Sequence, residues 1–209
     1  AITPSVATDA NYTINFVPAA FTITPAILTV TATAGQSKVY GTPNPANYLY
    51  TITGLMNGDV EADLDTPVSI ARAVGEDVGT YAITPSVATD ANYTINFVPA
   101  AFTITPATLT VTATAGQTKL YGITDPTSYA YTITGYQNGD LESDLDTAVI
   151  ISRAVGEDVG TYAITPSVAT DANYTINFVP AAFTITPATL TVTATAGQTK
   201  LYGITDPTS

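Results

Sequence analysis

The chain has no cysteine, no histidine and no tryptophan, and only five basic residues among its 209. Without cysteine no disulfide contributes to stability, and composition carries no mark of a redox compartment. Without histidine and cysteine, the commonest general base, the thiol nucleophile and the usual zinc and copper ligands are missing, which excludes serine–histidine and cysteine–histidine catalysis within this stretch. The five bases, Lys38, Arg72, Lys119, Arg153 and Lys200, face 17 acids, for a net charge of −12. Such a surface repels phosphate backbones and anionic lipid, so nucleic acid is not an expected partner. No apolar run is long enough to span a membrane, and no signal peptide, initiating methionine or terminal cap is recognisable. The expectation is a window cut from a longer protein, with no membrane insertion in this window.

What is present is repetition. Displaced by 81 residues, the chain lies on itself without a gap: Ala1–Ala26, Ala82–Ala107 and Ala163–Ala188 are identical, and so are Ala82–Ser128 and Ala163–Ser209. This divides it into the C-terminal part of a repeat (1–26), two full repeats (27–107 and 108–188) and the N-terminal part of another (189–209). A site for one substrate is needed once, whereas a long and extendable structure is built by adding units at constant spacing. The expected function is therefore structural rather than enzymatic, and the expected partners are neighbouring repeats of the same chain, with other copies in a fibre as a further possibility.

Each repeat reads as short strands. Leu28, Val30 and Ala32 alternate with threonines, as do Phe102 and Ile104; Tyr48, Tyr50 and Ile52, and Tyr93, Ile95 and Phe97, do the same with other neighbours. Period-two alternation rich in Thr, Val, Ile and Tyr suits a pleated, half-buried surface. Ser69 becomes Ile150 in the next repeat while its neighbours stay apolar, which marks an outward position. Asn57-Gly58 and Asn138-Gly139 are turn pairs that accept positive φ. Six or seven short strands per repeat predict an all-β fold, a tandem array of antiparallel β-sandwich, immunoglobulin-like domains. A helical turn over Asp59–Leu64 with Asp59 as N-cap keeps a β-grasp-like α+β fold as the alternative. At the joint, only Pro106-Ala107 separate the strand-like segments Phe102–Thr105 and Leu109–Ala113, which implies a stiff connection.

Four segments carry chemical signals. The acidic comb Asp59, Glu61, Asp63, Asp65, repeated as Asp140, Glu142, Asp144, Asp146, would line carboxylates along one side of an extended chain. Ca²⁺, which takes six to eight oxygens, is the cofactor such a comb would hold; the bland reading is a solvated acidic surface. Lys38, Lys119 and Lys200 sit in copies of one strand-like segment, where lysine discourages edge pairing and where a lysine–carboxamide crosslink is the chemical alternative. Tyr81, in Asp77-Val78-Gly79-Thr80-Tyr81, is expected to bury its ring and return its hydroxyl to nearby backbone. Tyr136, which replaces Leu55 beside a turn, is a candidate binding tip. Asn11, Asn92 and Asn173 each begin an N-glycosylation acceptor pattern.

Lys38-Val39-Tyr40-Gly41, Tyr50-Thr51-Ile52-Thr53-Gly54, Asn57-Gly58-Asp59, Val78-Gly79-Thr80-Tyr81, Asn92-Tyr93-Thr94-Ile95 and Phe102-Thr103-Ile104-Thr105 occur in that order. The series resembles the MBG domain of the YGX type, which stands in tandem in large bacterial surface proteins and adhesins. The resemblance implies an extracellular location, on a bacterial cell surface or in a secreted filament, and a stalk or filament role without catalytic residues. A low-affinity carbohydrate- or matrix-binding repeat acting by avidity is the alternative.

Overall fold

A computed structural model describes residues 1–206. In the first full repeat the strands are β1 (Ala26–Ala32), β2 (Gln36–Val39), β3 (Tyr50–Thr53), β4 (Ser69–Arg72), β5 (Gly79–Ser86), β6 (Tyr93–Val98) and β7 (Ala100–Thr105). The second full repeat follows with β8 (Ala107–Ala113), β9 (Gln117–Leu120), β10 (Tyr131–Thr134), β11 (Ile150–Arg153), β12 (Gly160–Ser167), β13 (Tyr174–Val179) and β14 (Ala181–Thr186). Each repeat builds a three-stranded sheet, β3-β1-β6 or β10-β8-β13, and a four-stranded sheet, β2-β7-β5-β4 or β9-β14-β12-β11.

The fold is all-β, but the sheets are mixed, which corrects the antiparallel expectation. β1 runs antiparallel to β3 and parallel to β6, with Leu28 opposite Ile95. β7 runs antiparallel to β5 and parallel to β2, with Gln36 opposite Phe102. The reason is that β1 and β2, though only a turn apart, enter different sheets, and each meets its second partner after a long excursion of the chain. Alternation tells which face is buried; it carries no information about the direction of a partner far away in sequence. The Asp59–Leu64 stretch holds a single 3₁₀ turn, Glu61–Asp63, with Val60 rather than Asp59 at its N-cap, so the α+β alternative finds no α-helix among the described residues.

The facing of the strands follows the alternation. Leu28, Val30, Ile83, Phe102 and Ile104 are fully buried, and so are their counterparts Leu109, Val111, Ile164, Phe183 and Ile185. In the second repeat Ala113 of the three-stranded sheet packs with Ile164, Phe183 and Ile185 of the four-stranded one, so the core lies between the sheets. Ser69 and Ile150 both face outward. Asn57 and Asn138 adopt φ of 57° and 54° beside glycines at 88° and 85°. Residues 1–25 carry the letters of β6 and β7 but form no strand, only an isolated bridge between Ile2 and Ala19; no copy of β1 or β2 precedes them to pair with. The last three residues of the 189–209 fragment lie outside the described residues.

The chain resolves into two compact units. One comprises residues 1–108 with 135–146 and 170–175; the other comprises 109–134, 147–169 and 176–209. The first unit is thus more than the first repeat: it includes two loops of the second.

Candidate functional site

The acidic comb is distributed among separate partners. Asp59 Oδ2 accepts the Tyr93 hydroxyl at 2.6 Å, Glu61 accepts the Tyr50 hydroxyl, Asp63 Oδ2 accepts the Val60 N–H at 2.9 Å and Asp65 Oδ2 accepts the Ala91 N–H at 3.1 Å. In the second repeat Asp140 takes the Tyr174 hydroxyl at 2.7 Å, Asp144 the Leu141 N–H at 2.8 Å and Asp146 the Ala172 N–H at 3.0 Å, while Glu142 stands in the first turn of the second 3₁₀ segment. Among the described residues no three acidic side chains converge as a metal would require. Such carboxylates act as local acceptors: they cap a turn, tie it to the β5–β6 connection, and hold phenols.

The lysines stand on the edge strands β2 and β9, but they are not exposed guards. Lys38 and Lys119 are buried. Lys38 pairs with Glu76, which also pairs with Arg72. Lys119 bonds Asp125 at 2.6 Å and Glu157, and Arg153 reaches the same two acids at 2.8 and 2.6 Å. The hydrogen bond from Lys119, followed by that from Arg153, holds the Asp125 carboxyl at about 2; the Asp125 hydrogen bond in turn raises the Lys119 ammonium above its ordinary value. A protonated amine has no lone pair for attack on a carboxyl carbon, so this arrangement is an ion-pair cluster, closed over the guanidinium–ring contacts of Arg72 with Tyr81 (4.9 Å) and Phe102 (5.5 Å). Tyr81 places its hydroxyl 2.8 Å from the Asp77 carbonyl, as does Tyr162 at 2.9 Å from Asp158, the backbone return expected of it. Its ring is half-buried rather than buried.

A different constellation joins one repeat to the next within the first compact unit, and it is built on residues the sequence reading passed over. Tyr40, at the end of β2, donates to Asp140 Oδ2 at 3.0 Å, and its ring meets that of Tyr174 edge-on at 5.4 Å. Asp140 therefore holds two phenols, one from each repeat. Burial and then the Asp140 hydrogen bond keep the Tyr174 phenol well above its ordinary value, as expected of a hydroxyl donating to a desolvated carboxylate. Alongside, the Val78 N–H donates to Asn173 Oδ1 at 2.8 Å and Asn173 Nδ2 donates to Asp77 Oδ1 at 3.3 Å. The Ala107 N–H closes the same face on the Asn173 carbonyl at 3.0 Å.

Gly41 explains why the partner loop can come so close. A Cβ there would stand 2.3 Å from Gln137 Cβ. Tyr136, read from sequence as an exposed tip, is half-buried against the Tyr174 ring at 6.3 Å; the leucine-to-tyrosine change falls inside this junction, not on a free loop. The available signal was the Tyr-Gly pair itself, present in all three copies of the segment; its meaning required knowing which loop lies opposite.

No curated protein matches the chain. The family model of the MBG domain (YGX type) matches it twice, over residues 28–103 and 109–184. These matched segments take in β1–β7 and β8–β14 almost entirely, and each includes its Tyr-Gly pair and its Asn-Gly-Asp turn. The chain belongs to the MBG domain family of the YGX type, which it carries as tandem repeats.

Proposed function

We propose that this chain is a length-giving segment of a stalk or filament on an extracellular bacterial surface protein. The observation that carries the reading is the junction: Asp140 shared by Tyr40 and Tyr174, with Asn173 fixed on Asp77 and Val78. A linker that only tethers needs no such side-chain set, whereas an array that transmits position from one repeat to the next needs each joint held the same way. Near-identity of the repeats supports the same reading, because it reproduces one joint at every step. The repeats have no catalytic role on this reading, and the chain's partners are its own neighbouring repeats. No helix among the described residues is long and apolar enough to cross a membrane. The test is small-angle scattering on chains extended by further 81-residue repeats. Maximum dimension growing in proportion to repeat number supports the stalk; growth closer to the square root indicates flexible joints and removes it. Saturable sugar or matrix-protein binding by a single repeat would favour the avidity alternative instead.

A further inference from the structure

The two halves of the junction also occur uncovered, on opposite repeats. In the first repeat the receiving half is fully formed: Tyr93 donates to Asp59 at 2.6 Å and receives the Met56 N–H at 2.8 Å. These bonds duplicate those of Tyr174 with Asp140 (2.7 Å) and the Gln137 N–H (2.8 Å). Where Tyr40 covers the latter pair, the former opens on a cleft of about 450 Å³ lined by Met56, Asn57, Asp59, Asn92 and Tyr93 among others. In the second repeat the inserting half is exposed. Tyr121 is 50% accessible, against 6% for Tyr40 at the same place in the first repeat. A Cβ on Gly122 would meet nothing within 4 Å, whereas Gly41 faces Gln137. Val159 is exposed, whereas the N–H of its counterpart Val78 is bonded to Asn173.

We propose that the Asp59–Tyr93 cleft is a docking site for the Tyr121-Gly122 loop of a second copy of this chain. Tyr121 would take the place that Tyr40 has against Asp140, and Asn92 would receive the Val159 N–H as Asn173 receives that of Val78. The complementarity is not inferred from shape alone, because the same chemistry is seen closed at Tyr40, Asp140 and Tyr174. An interface of this kind is heterologous: each copy offers one half at each site, so association continues head to tail instead of stopping at a symmetric pair. With 17 acids against five bases, copies repel, and the association should strengthen when salt screens them. This extends the stalk reading from joints within a chain to joints between chains, but rests only on the junction geometry.

Sedimentation equilibrium of the full chain at moderate salt tests it. The weight-average mass should climb above 21.5 kDa with concentration. Tyr121→Ala should remove the inserting half, and Asn92→Trp, at an exposed position, should block the cleft without touching the Asp59–Tyr93 bond. Each variant alone should stay at the monomer mass, and an equimolar mixture of the two should rise towards twice that mass and no further. A wild-type mass that does not change with concentration overturns the proposal, as does association by either variant alone or a mixture that stays monomeric. Linear growth in the scattering series is independent of all three outcomes, so the stalk reading stands or falls separately.

Discussion

Gly41 and Gly122 occupy the same place in successive repeats and share a backbone conformation, φ +77° and +81°. Alanine at either position pays the same left-handed strain, of about 1–2 kcal/mol. Only at Gly41 would the new methyl also run into Gln137, forcing the 135–146 loop off Tyr40. Gly41→Ala should therefore destabilise the chain by about 1–3 kcal/mol more than Gly122→Ala, the usual range for overpacking. Urea unfolding of both variants measures the difference, and equal costs would mean that the junction contributes nothing to stability. At this scale the sequence was only partly informative. Tyr81's hydroxyl return could be read from five adjacent residues, because both partners are local. Tyr40 could not be placed, because its acceptor lies 100 residues away and no periodicity connects them.

The loop after β2 and its counterpart after β9 differ at one position that decides their charge: Asn44 in the first repeat, Asp125 in the second. Asn44 accepts a hydrogen bond from Arg72 at 3.3 Å, whereas Asp125 bonds both Lys119 and Arg153. A carboxyl held low in the folded chain contributes stability above its unfolded value, near 4, and loses that contribution as pH falls through its folded value, here about 2. Melting temperature followed from pH 4 to pH 2 should thus fall less steeply for Asp125→Asn than for the parent chain; parallel curves would show the cluster to be inert. The 3₁₀ segment gives the second test at this scale. Since its carboxylates already accept from Tyr93, Tyr50, Val60 and Ala91, millimolar Ca²⁺ and a chelator should give the same melting point. A calcium-dependent rise abolished by Asp63→Asn with Asp65→Asn would show that the carboxylates regroup around the ion. Element by element, the strands and their buried faces were legible because alternation is a local signal. The parallel partners of β1 and β7 were not, because nothing local records them.

For the whole molecule, the route of the chain matters more than any one contact. Each repeat is entered through β1 and left through β7, and both are interior strands: β1 lies between β3 and β6, and β7 between β2 and β5. A single residue, Pro106, separates β7 from β8, which begins the next repeat between β10 and β13. Tension on a cell-surface stalk would therefore act at the ends of strands with hydrogen-bonded neighbours on both sides. Ladder bonds lie across the strand direction, so a pull along β1 or β7 loads two ladders in shear at once, and neither strand can be peeled from a sheet edge one bond at a time. Force spectroscopy on the chain should show two unfolding peaks, one per full repeat, at higher force than the edge strand β4 would sustain if pulled through cysteines introduced at its ends. Peaks of equal force in the two geometries would show that interior placement of the entry and exit strands gives no mechanical advantage.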